Sequence, residues 1–273
     1  MSGCKSAKSV QPVFFIPHGA GPCFFMDWNP LGTWHGMESF LRSIETSLPQ
    51  RPTAIVLISA HWQAPQFSVT AAEQLGLIYD YYGFPEHTYQ LKYPAKGSPA
   101  LAQRVSDLLH DAGLEVHQEA ERGFDHGMFI PLKVMFPKAD IPVVQLSLRQ
   151  GLSPAEHLEA GKALSPLRKE GVLIIGSGMS FHNMSGYGDE RFTAASERFD
   201  DWLKETVQLE ADKKFQRLRD WTLAPHALEC HPSGEEEHLI PLMVVAGAAN
   251  EDPGIKVYSE RVMKTQLSAF RFG

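Results

Sequence analysis

The sequence predicts an α/β fold: one domain whose central, largely parallel or mixed β-sheet is covered by helices on both faces. The first observation is a set of four apolar runs, mainly of β-branched residues, which lack the polar alternation of a half-exposed strand. Such runs are typical of buried central strands. They occupy residues 13–16, 54–58, 143–148 and 172–175. The second observation is that helix-like segments separate these runs, and strands alternating with helices build this class of sheet.

Two of the separating segments carry helix boundaries. A serine followed by proline is typical of a helix start, because the serine side chain caps free backbone N–H groups and proline suits the first turn. Glycine commonly follows the last turn. The boundaries are Ser98-Pro99 with Gly113 for one helix, and Ser153-Pro154 with Gly171 for the other. Apolar residues at helical spacing predict a further helix over residues 192–209.

A last helix is predicted near the C-terminus. Ser233 and Glu236 have the spacing of a capping box, in which each residue satisfies a free backbone N–H of the first turn. The helix predicted from them runs through His238 and Leu242, with Pro241 inside it as a kink.

The ends of the chain complete the predicted organisation. Residues 256–258 and 265–272 are expected to add edge strands. Residues 1–11 precede the first strand and are predicted to form a flexible tail. Because no repeat, low-complexity segment or Pro/Ser-rich linker divides the chain, residues 1–273 are interpreted as a single domain.

Composition excludes some partners. The chain has 25 Lys and Arg residues against 32 Asp and Glu residues, a formal net charge of -7, which does not suit binding to a phosphate backbone. We therefore expect no nucleic-acid partner. No apolar run is long enough for a membrane span or a signal peptide, so we expect a cytoplasmic protein without a membrane partner. Cys4, Cys23 and Cys230 form no CxxC pair and are interpreted as free thiols.

Histidines follow three of the four predicted strands. His18 comes directly after the first strand, His61 shortly after the second, and His182 in the segment after the fourth. In an open α/β sheet, ligands bind outside the carboxyl ends of the strands, so these imidazoles are expected at one rim. A single histidine after a strand is more often a loop residue. Three together favour a metal site at the strand carboxyl ends, since neutral imidazole is the commonest protein metal ligand.

Other histidines leave alternatives open. His238 follows an acidic run at residues 235–237, which is typical of a solvated first helical turn, although a ligand role fits equally well. His126, flanked by Asp and Gly, is either a turn residue or a positioned acid or base. His231 precedes Pro232 and is interpreted as a loop residue.

Six short motifs, spread over nearly the whole chain, occur in a characteristic order. They are Pro17-His18-Gly19, residues 58–62 (ISAHW), residues 79–85 (YDYYGFP), residues 124–127 (FDHG), Gly176-Ser177-Gly178 leading to His182-Asn183, and His231-Pro232 with residues 237–242 (EHLIPL). Together they resemble the LigB-type, class III extradiol ring-cleaving dioxygenases, in particular the DOPA 4,5-dioxygenase branch of that family.

The resemblance implies roles for five residues. His18, His61 and His238 would hold the metal. Some relatives use Glu at the third position, so Glu237 is an alternative third ligand. His182 would be the catalytic base and could also approach the metal when substrate is absent. His126 would be a further acid or base near the metal.

The activity implied by the resemblance is Fe(II)-dependent opening of a catechol ring. A DOPA-like catechol and O2 would give a muconic semialdehyde that contains both oxygen atoms. Tyr79, Tyr82 and Phe84 would line the aromatic pocket, although packing within an ordered loop explains them equally well. Zn(II) could occupy the site in purified protein, and a homo-oligomer is left open.

Two functions of other classes fit the same residues. A three-histidine site with an open position also suits a zinc-bound water, and zinc competes well with ferrous iron for nitrogen ligands, so one alternative is a zinc-dependent hydrolase. The other is a non-catalytic metal-binding or interaction protein, because the same fold hosts Memo-like signalling proteins. The combination of all five histidines named above favours the dioxygenase.

Overall fold

Eight β-strands, numbered along the chain, form one sheet in the computed structural model, which describes residues 10–273. The strands are β1 (Val13–Pro17), β2 (Ala54–Ala64), β3 (Phe67–Thr70), β4 (Val116–Glu119), β5 (Val143–Arg149), β6 (Val172–Gly178), β7 (Gly254–Val262) and β8 (Thr265–Phe272). Their order across the sheet is β4-β3-β5-β2-β6-β1-β8-β7.

Helices alternate with the strands over most of the described chain. They are α1 (His35–Ser47), α2 (Pro99–Asp111), α3 (His126–Met135), α4 (Pro154–Leu164), α5 (Thr193–Val207), α6 (Ala211–Arg219), α7 (Ala227–Cys230) and α8 (Ile240–Ala249). The starts predicted for α2 and α4 are confirmed, since Ser98 and Ser153 each accept a backbone hydrogen bond in the first turn. α4 ends before its predicted limit at Gly171, because Pro166 cannot continue it and a 3₁₀ turn, Ser165–Glu170, follows.

The central strands confirm the predicted fold class. β6 pairs in parallel with β1 on one side and with β2 on the other, and β2 also pairs in parallel with β5. β8 runs antiparallel to β1 and β3 antiparallel to β5, so the sheet is mixed. Every residue of β1 and β6 is buried. Because successive side chains of a strand point to opposite faces, the centre of the sheet is covered on both faces.

The two C-terminal strands occupy different places in the sheet. β7 lies at an edge, as predicted, although it is longer than residues 256–258. The prediction that residues 265–272 form an edge strand is wrong, since β8 lies between β1 and β7. The physical reason is that buried β1 has backbone groups to satisfy on both of its sides: β6 pairs with one side and β8 with the other.

α8 starts later than predicted. The predicted capping box of Ser233 and Glu236 does not form, because Glu236–His238 is a separate 3₁₀ turn and α8 begins at Ile240. Pro241 lies in the first turn of α8, where its missing N–H is not needed, so it does not kink the helix. Every residue of α8 is buried, which explains the absence of a polar face in its sequence.

α8 packs against α4 at a very short distance. A Cβ atom built on Gly161 would lie 2.1 Å from the Val244 oxygen, and one built on Gly247 would lie 2.1 Å from the Leu158 oxygen. Glycine is therefore required at both positions for the two helices to cross here. α8 in turn packs on β1, β2 and β6, so this crossing anchors the helix that follows the His238 turn.

The N-terminal part of the chain is described from Val10 onwards. Residues 1–9, which include Cys4 and most of the predicted tail, lie outside the described residues. Gln11 is buried, and its backbone N–H donates to the Arg168 oxygen, so the predicted tail does not extend to Gln11. None of the helices in residues 10–273 is long and apolar enough to cross a membrane.

Candidate active site

Three imidazoles from distant parts of the chain meet at the carboxyl ends of the central strands. His18 follows the last residue of β1, His61 lies in β2 within the irregular stretch between Ile58 and Gln63, and His238 ends the 3₁₀ turn before α8. The Nε2 atoms of His18 and His61 are 3.0 Å apart. One nitrogen from each ring lies within 4.8 Å of the others, so the structure brings the three predicted metal ligands together.

The opposite nitrogen of two of these rings has a partner that fixes the position of its proton. Ser177 donates its hydroxyl hydrogen to the Gly127 oxygen at 2.5 Å, so its Oγ accepts from His18 Nδ1 at 3.1 Å. Glu237 Oε1 accepts from His238 Nδ1 at 2.8 Å. The protons therefore lie on Nδ1, and the unprotonated Nε2 atoms of His18 and His238 are free to bind a metal.

Burial keeps these three rings neutral. Burial lowers the pKa of His18 and His238 well below the ordinary value, and repulsion from neighbouring histidines lowers it further. The pKa of His61 is also lowered by burial and by His126, against an opposing contribution from Asp80. Neutral imidazoles that turn their lone pairs towards one another repel unless a cation lies between them. The donor set therefore fits a divalent transition metal, and nitrogen ligands of this kind suit iron as well as zinc.

His182 lies beside the three-histidine cluster. Its segment follows β6, and its backbone N–H donates to the Cys230 oxygen at 2.9 Å. The ring stacks on His238 with 3.4 Å between centroids and an interplanar angle of 12°. Burial lowers the pKa of His182 to about 4, so the ring is neutral at pH 7. Among the described residues its Nδ1 has no hydrogen-bond partner, and the Glu237 carboxylate lies 3.9 Å away.

His126 approaches the cluster from the other side. It is the first residue of α3, and its ring centroid lies 3.9 Å from that of His61. Asp80 accepts hydrogen bonds from both the backbone N–H and Nδ1 of His126, each at 2.9 Å. Burial on its own would raise the pKa of Asp80, but the hydrogen bonds and charge of His126 outweigh it, and the pKa is lowered.

A buried carboxylate, Asp125, supports the segment that carries His61. Ser59 donates its hydroxyl hydrogen to Asp125 at 2.7 Å, and the same hydroxyl oxygen, Oγ, accepts from the His61 backbone N–H at 3.2 Å. Gln145 and Arg122 donate to the second oxygen of Asp125. Burial raises the pKa of Asp125, and these donors hold its position. The sequence analysis gave Asp125 no role, although its place beside His126 in the FDHG motif was a usable signal.

The five histidines open onto a cavity of about 430 Å³ with mostly aromatic and thioether walls. Its lining includes His18, His61, His126, His182, His238, Asp80, Tyr81, Tyr82, Phe84, Trp28, Trp34, Met179, Met184, Tyr187 and Met263. Tyr82 lies at the mouth and is 91% exposed. A flat catechol ring matches such walls in shape and polarity.

The structure does not bring Tyr79 to this cavity. Its hydroxyl donates to the Leu91 oxygen at 2.5 Å, and its ring packs edge-on against Phe129 in the protein interior. The neighbouring Tyr81 lines the cavity instead. Which ring of the YDYYGFP motif faces the cavity depends on the local loop path, which residue types alone do not reveal.

As predicted, His231 lies in a loop, at a bend directly after α7. His231 closes α7, is fully buried, and its Nε2 donates to the Ser180 oxygen at 3.0 Å. Burial lowers its pKa to about 3. Its ring packs against Trp221 and Phe199, which gives it a structural place behind the His182 segment.

Comparison with known proteins agrees with this geometry. Residues 12–271 match the family described as the catalytic LigB subunit of aromatic ring-opening dioxygenase. The chain is 40% identical over 254 residues to a 4,5-DOPA dioxygenase extradiol of Beta vulgaris, covering 90% of each chain. It is 34% identical to the protein of that name from Escherichia coli K12, covering 96% of this chain and 94% of the other.

A solved structure shows the same architecture. It is the crystal structure of an uncharacterized protein from Escherichia coli K12, which aligns with a TM-score of 0.75 and 31% sequence identity. The alignment covers 96% of this chain and 100% of the other. With the family match over residues 12–271, these similarities show that the chain belongs to the LigB family of aromatic ring-opening dioxygenases.

Proposed function

We propose that the protein is a non-haem Fe(II)-dependent extradiol dioxygenase, which opens the ring of a DOPA-like catechol with O2 to give a muconic semialdehyde. The observation that carries this proposal is the set of three neutral imidazoles, His18, His61 and His238, at one side of an aromatic-walled cavity. A metal held by these three residues would retain positions for both catechol oxygens and O2.

The ligands of this chain suit that chemistry because they carry no negative charge. When bound, Fe(II) would lower the pKa of the catechol hydroxyls and mediate electron transfer from the catecholate to O2. Three neutral imidazoles leave the full double positive charge at the site, which favours a catecholate over a neutral catechol. The Glu237 carboxylate pairs with His238 Nδ1, so it supports the ligand histidine in this structure.

The two remaining histidines handle protons. His182 is neutral at pH 7, because burial lowers its pKa to about 4, so its ring can accept the proton of the second catechol hydroxyl. His126 donates from Nδ1 to the Asp80 carboxylate, which leaves its Nε2 to exchange a proton with a bound substrate. Both rings line the cavity within reach of a bound substrate.

The cavity walls bind and orient the ring. Phe84 and Tyr81 provide aromatic surface, and their rings contact each other edge-on with 5.6 Å between centroids. Tyr82 at the mouth can contact a substituent of the catechol. The names of the relatives from Beta vulgaris and Escherichia coli support a DOPA-like substrate.

The decisive experiment is anaerobic reconstitution of the protein with Fe(II), followed by oxygen-electrode and absorbance measurements with a panel of catechols that includes DOPA. We expect stoichiometric O2 uptake and a yellow semialdehyde product in the Fe(II) form, and neither signal in the Zn(II) form. His61→Ala provides the matched control, since it removes one ligand and leaves the cavity walls in place. An absence of uptake at full iron occupancy would contradict the proposal and favour the zinc hydrolase.

A further inference from the structure

One carboxylate lies between a metal-ligand histidine and an acid/base histidine. Asp80 Oδ1 accepts two hydrogen bonds from His126, through the backbone N–H and the ring Nδ1, each at 2.9 Å. The other oxygen, Oδ2, lies 3.8 Å from Nδ1 of His61. The side chain of Asp80 is 24% exposed and lines the cavity.

The chain places Asp80 through a bridge between two loop segments. Backbone N–H groups of Ile78 and Phe124 donate to the oxygens of Phe124 and Gly76, at 2.8 and 2.9 Å. Residues 77 and 124 form a parallel bridge; Asp80 stands three residues after the first and His126 two residues after the second. A Cβ atom on Gly123 would lie 2.7 Å from the Gly76 oxygen, so the close approach requires glycine at position 123.

We propose that Asp80 is a positioning residue that fixes the ring orientation and tautomer of His126 and orients the metal ligand His61. The expected effect on catalysis rests on the proposed dioxygenase function. The expected effects on the orientation and tautomer of the His126 ring and on metal binding do not. An ionised carboxylate only accepts hydrogen bonds, so His126 presents its protonated Nδ1 to Asp80 and leaves Nε2 for the substrate. The same carboxylate favours the proton of His61 on Nδ1, which would leave its Nε2 for a metal.

The first test replaces the carboxylate in the full-length, metal-loaded protein. For Asp80→Ala we expect kcat to fall by about 10- to 100-fold and metal affinity by about 10-fold, while KM for the catechol changes by less than about 3-fold, because Asp80 acts through the histidines. Asp80→Asn keeps an acceptor oxygen and should recover part of both losses. A rise in KM for the catechol, with kcat and metal affinity unchanged, would overturn the proposal.

A double-mutant cycle tests whether Asp80 acts through His126. In the His126→Gln background, Asp80→Ala should lower kcat by less than about 3-fold further, since residues that act as a unit are not additive. Full additivity of the two losses would show that Asp80 acts independently of His126 and would overturn that part of the proposal.

A spectroscopic readout separates this proposal from the dioxygenase assignment. Nitrogen-15 NMR of the histidine rings in the diamagnetic Zn(II)-loaded protein distinguishes a protonated ring nitrogen from an unprotonated one. We expect His126 to be protonated on Nδ1 in the wild type and to populate both tautomers in Asp80→Ala. Unchanged His126 signals in the variant would overturn the proposal. Changed signals in a protein that cleaves no catechol would support it while rejecting the dioxygenase function.

A matched pair of glycine variants moves Asp80 without altering it. Gly123→Ala forces the bridged segments apart, whereas a Cβ atom on Gly76, in the same bridge, would meet nothing within 4 Å. We expect Gly123→Ala to reproduce the His126 tautomer change of Asp80→Ala, and Gly76→Ala to retain the wild-type signals. Wild-type signals in Gly123→Ala would overturn the role of the bridge in placing Asp80.

Discussion

At the scale of single residues, the protonation state of each imidazole decides what the site can bind. His18 and His238 donate from Nδ1 to Ser177 and Glu237, and burial lowers the pKa of both rings. Both rings are therefore neutral at pH 7 with Nε2 available to a metal. His182 stacks on His238, and its pKa is lowered to about 4, so it too is neutral. Because all three rings are neutral, their different proposed roles follow from their positions and not from their charges.

The third metal ligand is tested by replacing the two neighbours separately. His238→Ala should bind less than one equivalent of metal under conditions that saturate the wild type, because one of three donors is lost. Glu237→Gln should still bind one equivalent, with affinity lowered by about 10-fold, since it only supports the His238 ring. Metal content after gel filtration, measured by plasma emission spectrometry, decides between them. Full occupancy in His238→Ala together with loss in Glu237→Gln would make the carboxylate the ligand.

His182→Gln tests the assignment of the catalytic base. We expect the variant to keep one equivalent of metal and to bind catechol anaerobically, while kcat falls by about 10²- to 10⁴-fold, the usual contribution of a positioned acid or base. Anaerobic catechol titration and steady-state O2 uptake measure the two properties. Loss of the metal itself would show that His182 is a ligand.

His157 is a buried histidine away from the site, and it makes stability depend on pH. Its Nδ1 donates to the Ser153 oxygen at 2.7 Å and its Nε2 accepts from the Arg149 N–H at 3.1 Å, so the folded protein holds it neutral. Burial lowers its pKa to about 4. Below the unfolded value near 6.5 the unfolded chain binds the proton first, so stability falls as the pH drops from about 6.5 to about 4.

Urea denaturation at pH 7 and pH 5 measures this contribution. His157 should account for about 2 kcal/mol of the stability lost between the two pH values, and His157→Gln should reduce the loss by that amount. An equal loss in the wild type and the variant would contradict the assignment.

At the scale of elements, the crossing of α4 and α8 determines where the His238 turn lies. Gly161 and Gly247 each face a carbonyl oxygen of the opposite helix, at 2.1 Å from the position of a Cβ atom. A methyl group at either position has no flexible neighbour to displace, because the obstructing atoms are backbone. The helices can accommodate it only by moving apart.

Gly161→Ala should therefore destabilise the protein by about 1–3 kcal/mol, the range of an overpacked core, despite the higher helix propensity of alanine. The control is Glu159→Ala on the same helix, whose half-exposed carboxylate makes surface ion pairs worth about 1 kcal/mol or less. Thermal unfolding monitored by circular dichroism compares them. Equal stability of Gly161→Ala and the wild type would show that the crossing is not tightly packed.

The elements also show which parts of the structure the sequence can predict. The four central strands were predictable because both of their faces are buried, which produces unbroken apolar runs. α1 was missed, although Met37, Leu41 and Ile44 have helical spacing, because glycine and polar residues interrupt the pattern. β3 and β4 were missed because each has only four residues, too few to show a period.

The site residues that follow predicted strands could be predicted from the sequence, whereas the cavity-lining residues that come from loops could not. His18, His61 and His182 followed from their positions after strands, and His238 from the family resemblance. Trp28, Trp34 and Met263 line the cavity from segments without periodicity, so no local pattern linked them to it. Asp80 was within a recognised motif, but His126 lies 46 positions further along the chain, and their contact depends on the bridge between residues 77 and 124.

At the scale of the whole molecule, a bound metal should stabilise the fold. Of the three proposed ligands, one directly follows β1, one lies in β2 and one lies in the turn before α8, so one ion would join distant parts of the chain. A metal at about 100 times its dissociation constant adds about 2.7 kcal/mol of stability, which raises the melting temperature by on the order of 5 °C for a chain of this size. Differential scanning fluorimetry with and without Zn(II) measures the shift. His61→Ala serves as the control, and an equal shift in that variant would place the stabilising metal elsewhere.

The position of β1 in the sheet has a consequence for synthesis on the ribosome. β1 is the first strand to emerge, yet its two partners are β6 and β8, and β8 ends at Phe272. At roughly 5–20 residues per second, the first strand waits on the order of ten seconds or longer for its last neighbour. His18 and His238 cannot meet before residue 238 has been synthesised. The three-histidine cluster therefore forms only after most of the described residues have been made, and shorter nascent chains would bind a metal poorly.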